Sequence, residues 1–146
     1  MSRQESALNA FIGLTRTTDI LEQIAKEDAR KHQLNITEFA VLELLFHKGP
    51  QQVQHIRKRV LIASSSITYV VDCLVKKQLV NRVKDDKDKR VFNVALTAQG
   101  IQLMEAIFPQ HAKALTEAFA TLNDDELAQL NQLLKKVSTH AQMIEA

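Results

Sequence analysis

Residues 64–77 read SSSITYVVDCLVKK, and this stretch decides the fold. Its apolar residues recur every three or four positions, which is the period of a helix with one buried face. These residues are Ile67, Val70, Val71 and Leu74. The spacing predicts a helix that begins near Ala63, is capped by Ser64 and carries Ser65 and Ser66 in its first turn. Small hydroxyl groups on the outward face of such a helix allow a close approach to the floor of a DNA major groove.

A shorter basic helix is predicted before this stretch, in residues 53–60, which read VQHIRKRV. Val53, Ile56 and Val60 supply its apolar stripe. His55 and Arg57 fall outside the stripe, so we interpret them as phosphate contacts, the alternative being plain surface charge.

Two strands are predicted after it, in residues 80–96, which read VNRVKDDKDKRVFNVAL. The alternation has a period of two on either side of a polar turn at residues 84–89. This turn lacks Gly and Asn, which favours a long, mobile loop over a tight two-residue turn. Two short helices and a charged hairpin together predict a winged helix-turn-helix.

Four further helices surround this unit. The first, from Ser6 to about Lys31, has sparse apolar residues and is expected on the rim of the fold. The second follows the candidate caps Asn35 and Thr37, is apolar on nearly all sides, and is expected at the buried centre. A long helix capped by Thr97 should bend, or break after Phe108, at Pro109. Residues 123–126 read NDDE and predict a capping box for the last helix.

The charge of the chain is segregated. The net charge is only +2, but residues 51–90 carry ten Lys and Arg against four Asp, a local excess of six. The rest of the chain is therefore acidic. This distribution is typical of a polyanion-binding face on a mildly acidic body.

Several classes of function are disfavoured. With 146 residues, 45% of them hydrophobic, the chain suits one domain, and it contains no membrane-length apolar run and no signal peptide. We therefore expect a cytoplasmic protein without membrane contact. Cys73 is the single cysteine, and the five histidines form no metal-binding pair on one helix face. Three glycines leave little material for a phosphate loop, so we expect no cofactor and no enzymatic activity.

This order of helices around one winged helix-turn-helix resembles the MarR family of bacterial transcriptional regulators over nearly the whole chain. The most specific signals are SITYVVDCL at residues 66–74, and DKR at residues 88–90 followed by VALTAQG at residues 94–100. The family usually has Asp-x-Arg at the wing and then Leu-Thr-x-x-Gly. The chain departs from the family pattern at Cys73, where many members have Arg, and at Gln78, where Gly is frequent.

The resemblance implies a mainly α fold with a small β-hairpin wing (α+β). Residues 36–100 would form the winged lobe, with the helix-turn-helix at 53–77 and the wing at 80–96, while residues 1–35 and 101–146 would form dimerisation helices. A homodimer would then read a pseudo-palindromic operator in double-stranded DNA. By position, the wing arginine that enters the minor groove would be Arg90, and the acid that orients it Asp88.

The predicted DNA-binding residues lie on all three elements. They are His55, Arg57, Ser64, Ser65, Ser66, Thr68, Tyr69, Lys76, Lys87, Asp88, Lys89 and Arg90. The lysines on either side of Asp88 would reach phosphates.

Two functions stay open at this point. The first is a repressor released by a small phenolic or aromatic effector, bound near the first helix and the start of the long helix, or by an oxidative signal. Cys73 would be either the oxidant sensor or a semi-exposed neutral thiol. The second is a winged-helix module that binds DNA or protein without an effector. Hydroxyls and lysine on the outward face of residues 64–76, in place of large aliphatic side chains, favour DNA over protein contacts.

Overall fold

The computed structural model describes residues 1–60 and 66–145. Within these residues the chain forms six helices and three strands. Their order is α1 (Arg3–Arg30), α2 (Ile36–Lys48), β1 (Gln51–Gln52), α3 (Val53–Arg59), α4 (Ile67–Lys76), β2 (Val80–Lys84), β3 (Phe92–Leu96), α5 (Ala98–Ala118) and α6 (Asp124–Glu145). The predicted fold class, mainly α with a β-hairpin wing, is confirmed.

The long first helix starts earlier than its apolar residues indicate. Ser2 and Glu5 form a capping box at its N-terminus, so the polar residues ahead of Ser6 are already helical. The helix ends where Gln33 adopts a left-handed backbone with φ of 60°. The Leu34 amide then reaches back to the Ala29 carbonyl at 3.0 Å, which closes the last turn.

Helix α2 lies at the centre of the core, as predicted. Asn35 caps it, and Glu38 completes a capping box by accepting a hydrogen bond from the Asn35 amide at 3.0 Å. Four apolar side chains of α2 are buried against α4, α5 and the sheet. They are Phe39, Val41, Leu42 and Leu45. We call the segment from α2 to β3 the winged lobe, because its elements share this core.

The sheet has three strands in the order β1-β3-β2, all antiparallel. Val80 pairs with Leu96 and Lys84 with Phe92, while Gln51 and Gln52 pair on the other edge of β3. The sequence prediction of two strands was therefore incomplete. Two consecutive glutamines carry no apolar alternation, and β1 forms because α2 ends beside the free edge of β3.

The long helix α5 joins the winged lobe to the last helix. Thr97 caps it by accepting from the Gly100 amide at 3.0 Å, as predicted. A Cβ at Gly100 would lie 2.2 Å from the Leu79 carbonyl oxygen, so this first turn packs directly on backbone. Of the bend or break expected at Pro109, the break does not occur, since α5 runs through Pro109. Ile107 and His111, on either side of the proline, are both buried, and this packing keeps one helix continuous.

His111 is a buried residue that the sequence did not reveal. Its side chain is 4% exposed, its Nδ1 lies 3.2 Å from Asp28 of α1, and its Nε2 lies 3.9 Å from Glu43 of α2. The ring centroid lies 4.6 Å from that of Phe39. His111 therefore ties three helices together where α1 and α5 meet the winged lobe.

The last helix differs from the rest. Asn123 and Glu126 form the predicted capping box through reciprocal hydrogen bonds of 2.8 and 3.0 Å. Every side chain that the structure describes in α6 stays at least partly accessible, including Leu133 and Val137. Large apolar residues are also exposed along the N-terminal half of α1, among them Leu8, Phe11 and Ile12.

None of the helices within residues 1–60 and 66–145 combines the length and apolar character needed to span a bilayer.

Candidate nucleic-acid interface

Helix α4 is the element that the sequence singled out, and its start needs a correction. The structure places the N-cap at Ser66, whose side chain accepts from the Tyr69 amide at 3.4 Å, and the first helical residue is Ile67. The predicted start near Ala63 with Ser64 as cap was too early. Three successive serines are equivalent caps by residue type, and burial of Ile67 selects the last of them. Ser64 and Ser65 lie outside the described residues.

The two faces of α4 match the predicted pattern. All four predicted core residues are buried, with exposed fractions of 4% or less. Thr68, Tyr69 and Lys76 are exposed on the other side, and Tyr69 is 67% accessible. The exposed face of α4 thus combines hydroxyl groups and one ammonium, with its apolar groups directed into the core.

Tyr69 and Cys73 lie one turn apart on this face. Hydrogen bonding with the Cys73 side chain raises the pKa of the Tyr69 phenol above its ordinary value of 10.0. The Tyr69 phenol, protonated at neutral pH like that of any ordinary tyrosine, can both donate and accept a hydrogen bond. Cys73 itself is half-buried, in agreement with the semi-exposed position predicted for it.

Helix α3 precedes α4 and supplies cations. Ile56 anchors it in the core with no exposed surface, while His55 and Arg57 are exposed. Its last turn carries three consecutive basic residues, Arg57, Lys58 and Arg59. These charges stabilise the negative end of the helix dipole and give the lobe a cationic edge beside α4.

The loop between β2 and β3 is ordered by Asp85. Its carboxylate accepts from the backbone amides of Lys87 and Asp88 at 3.1 and 3.0 Å, and from the Asn93 side chain at 3.0 Å. The hydrogen bonds from the Asp88 amide, the Asn93 side chain and the Lys87 amide lower the pKa of Asp85 below 3.8. The loop is as long as predicted, but its backbone is held by a hydrogen-bond network that the sequence did not reveal.

Asp88 orients Arg90 at the tip of this loop. The Arg90 Nε and Nη2 donate to the two Asp88 carboxylate oxygens at 3.0 and 3.1 Å, and the Arg90 amide donates to Oδ1 at 3.1 Å. The contact with the guanidinium lowers the pKa of Asp88 and raises that of Arg90. The Arg90 side chain is still 90% exposed, so its charge remains available to a ligand. Lys87 and Lys89, on either side of Asp88 in the sequence, are exposed.

One contact between α4 and the wing was not anticipated. Asp72, on the exposed side of α4, forms an ion pair with Arg82 of β2. The opposite charges at these positions were the only sequence signal for it. This pair connects α4 with the wing, so the two elements form one surface.

Across the part of the chain that the structure describes, no three His, Cys, Asp or Glu side chains lie together in a way that could hold a metal ion. The polar groups on α3, α4 and the wing point outward along one side of the lobe. This arrangement suits an extended polyanion.

Comparison with known proteins agrees with this geometry. Residues 34–92 match the model of the MarR family. The chain is 42% identical over 137 residues to the HTH-type transcriptional regulator MhqR of Bacillus subtilis, a match that covers 94% of each chain.

Two solved structures have the same fold. AbsC, a MarR family transcriptional regulator from Streptomyces coelicolor, superposes with a TM-score of 0.82 at 18% identity over 97% of each chain. Bordetella bronchiseptica BpsR, whose DNA binding is regulated by 6-hydroxynicotinic acid, gives a TM-score of 0.72 at 27% identity, covering 86% of this chain and 89% of its own. The chain therefore belongs to the MarR family, and it is a DNA-binding HTH-type transcriptional regulator rather than an enzyme.

Proposed function

We propose that this regulator is a homodimeric repressor that reads a pseudo-palindromic operator with one winged lobe per half-site. The observation that carries the proposal is the exposed face of α4, where Thr68 and Tyr69 stand beside the cationic edge of α3 and the wing. In this reading α4 lies in the major groove and residues Ser64–Ser66 approach it at its N-terminal end. Lys76, His55 and Arg57 contact phosphates.

The wing extends this contact to the minor groove. A planar guanidinium suits a narrow, electronegative minor groove, and the bidentate contact with Asp88 fixes the direction of Arg90 before DNA binds. Lys87 and Lys89 would reach the phosphates on either side. Because side chains already ordered lose less entropy on binding, this geometry favours tight association.

The helices outside the lobe would form the dimer, which is the role proposed for residues 1–35 and 101–146. An apolar groove supports this assignment, since it runs between Leu14 of α1 and the turn that joins α5 to α6, with Phe119 and Leu122 on its wall. Exposed apolar residues on α6 continue the same surface. A second copy of the chain would cover them and set the two α4 helices about 34 Å apart, one turn of B-DNA.

The effector would be a small hydroxylated aromatic compound, a class suggested by the effector of BpsR. It would bind where α1 and α5 meet the winged lobe and change the spacing of the two lobes. A preference of about 1–3 kcal/mol for one spacing is enough to weaken operator binding about 5- to 150-fold.

The decisive experiment is selection of duplexes from random DNA with the purified protein, followed by titration of the selected duplex at several salt concentrations. We expect a palindromic consensus and an affinity that falls steeply with salt, because several lysine and arginine contacts release counterions. Binding that does not change with salt, or an absence of any selected sequence, would reject the proposal. Addition of 6-hydroxynicotinic acid, with nicotinic acid as the matched control, then tests the effector class through release of the duplex.

A further inference from the structure

Lys77 directly follows the last residue of α4, and although its side chain is 40% exposed, its ammonium group is bound by groups of the protein. Lys77 caps the C-terminus of α4, and its Nζ lies 2.8 Å from Oε2 of Glu38. The same Nζ donates a hydrogen bond to the Gln33 carbonyl oxygen at 3.0 Å. The neighbouring Lys76 is exposed on the outward face of α4.

Glu38 is the reason why Lys77 is held in place. Its side chain is 5% exposed, and both carboxylate oxygens are occupied, Oε1 by the Asn35 amide and Oε2 by Lys77. A buried carboxylate that loses its cation is strongly destabilising. A phosphate that attracted Lys77 away would leave Glu38 without its charge partner. The charge of Lys77 is therefore engaged by Glu38, at the surface of the protein.

The contact joins three elements at one point. Gln33 closes α1, Glu38 lies in the first turn of α2, and Lys77 ends α4. At the other side of α4, Asp72 is paired with Arg82 of β2. The C-terminal part of the reading helix is thus fixed to the connection between α1 and α2 by one ion pair, and to the wing by another.

We propose that Lys77 is a positioning residue for operator reading, which sets the orientation of α4 through Glu38 and Gln33 without touching DNA. The inference rests on the proposed function, in which α4 reads the major groove. Small displacements of a recognition helix misalign its hydrogen bonds with base edges, so loss of the ion pair lowers affinity even though no DNA contact is removed.

The test compares Lys77→Met, Glu38→Gln and the double variant, with Lys76→Met as the matched control. Glutamine at position 38 keeps the capping box because it still accepts from the Asn35 amide. Affinity for the selected operator duplex is measured by fluorescence anisotropy over a range of salt concentrations. We expect Lys77→Met and Glu38→Gln each to weaken binding about tenfold, and the double variant no more than either alone, since contacting residues are not additive.

The salt dependence separates positioning from phosphate contact. Lys76→Met should reduce the slope of log affinity against log salt by about one, while Lys77→Met should leave it unchanged. Lys77→Arg keeps the ion pair and should stay within about twofold of the wild type.

Three results would overturn the inference: an unchanged affinity in Lys77→Met, a slope reduced by about one in that variant, or multiplied effects in the double variant. Circular dichroism checks that each variant is folded, and if Lys77→Met is not, Glu38→Gln alone must still weaken binding at an unchanged slope. A wild-type protein that binds no duplex at all would instead reject the proposed function, and the inference with it.

Discussion

The winged lobe and the helices at the two ends of the chain differ in where their apolar side chains lie. In the lobe, Leu42, Ile56 and Leu74 have no exposed surface. On α6, Leu133 and Val137 are more than half exposed, and the N-terminal half of α1 exposes Phe11. The lobe therefore contains most of the buried core, to which α5 adds Met104 and Ile107, while the end helices also present apolar surface that a second chain would cover. Under the proposed function, the contrast separates the stability of the lobe from the assembly of the dimer, which we assign to the end helices.

The largest effect should come from charges placed on the exposed stripe of α6. We expect Leu133→Asp with Val137→Asp to yield a monomer, because a buried aspartate without a partner is unfavourable. Operator affinity should fall about a hundredfold or more, since the second half-site no longer binds intramolecularly. Light scattering measures the mass. Gln142→Asp, on the opposite side of α6, is the control and should stay dimeric.

Removing residues 123–146 should have the same result. A folded dimer after that deletion, or after the two aspartate substitutions, would place the interface elsewhere and remove the contrast between lobe and ends.

The next effect concerns the stability of the monomer formed by the variant with Leu133→Asp and Val137→Asp. Leu42→Ala should lower the free energy of unfolding by about 3 kcal/mol, the usual cost of a core cavity. Met143→Ala, which trims a residue that is 71% exposed, should change it by less than about 0.5 kcal/mol. Urea denaturation measures both. Equal losses of unfolding free energy in the two variants would mean that α6 shares the core of the lobe.

A smaller effect, on binding alone, is expected from the wing. Arg90→Ala should weaken binding to an operator with AT-rich flanks by about 1–3 kcal/mol. The melting temperature should not change, because the side chain is 90% exposed. Lys135→Ala, on α6, is the control for loss of a distant positive charge. If Arg90→Ala binds as tightly as the wild type, the wing has no part in DNA recognition.

The wing should also have a characteristic response to pH. Folding lowers the pKa of Asp85 and Asp88 below 3.8, so their stabilisation of the loop is complete above that pH and is lost as the pH falls below it. Carboxyl chemical shifts measured by NMR should therefore give midpoints under 3.8 for both residues. In Arg90→Ala the midpoint of Asp88 should rise, and that of Asp85 should stay low because its hydrogen bonds do not involve Arg90. A rise of both midpoints would show that the whole loop, and not Asp88 alone, depends on Arg90.

The smallest effect should come from the end of α4. Gln78 has a φ of 63°, a left-handed conformation that glycine adopts without strain. Gln78→Gly should raise the free energy of unfolding, by less than about 1 kcal/mol because glycine also gains entropy in the unfolded chain. Gln102→Gly, in the exposed interior of α5, should lower it by a similar amount. A loss of stability in Gln78→Gly would mean that the glutamine side chain itself contributes at this position.

Local patterns in the sequence were enough to predict most helices. Asn35, Thr97 and Asn123 each act as the caps that their residue types indicate, and the four buried residues of α4 follow from their spacing alone. These features depend on contacts within one or two turns of the chain, which a short window of sequence contains.

The errors and omissions share a different cause, because each depends on residues distant in the sequence. Strand β1 forms only through pairing with β3, and α5 continues through Pro109 because its neighbours on both sides, Ile107 and His111, are buried against other helices. His111 gains its role from Asp28, 83 residues away, and Lys77 from Gln33, 44 residues away. Arg90 and Tyr69, which were predicted to contact DNA, have accessible side chains. Identifying Ser66 as the cap required knowledge of where the core lies.

Gly100 has a consequence for how the two halves of the molecule are joined. Since its Cα faces the Leu79 carbonyl with no room for a methyl group, the first turn of α5 and the end of α4 meet backbone to backbone. Thr97 adds hydrogen bonds to the Gln78 and Leu79 carbonyls at 2.7 and 3.0 Å in the same joint. A substituent at position 100 would act as a spacer at this joint. In the proposed dimer, Gly100→Ala would thus alter the distance between the two α4 helices while leaving every side chain assigned to DNA or to the partner intact.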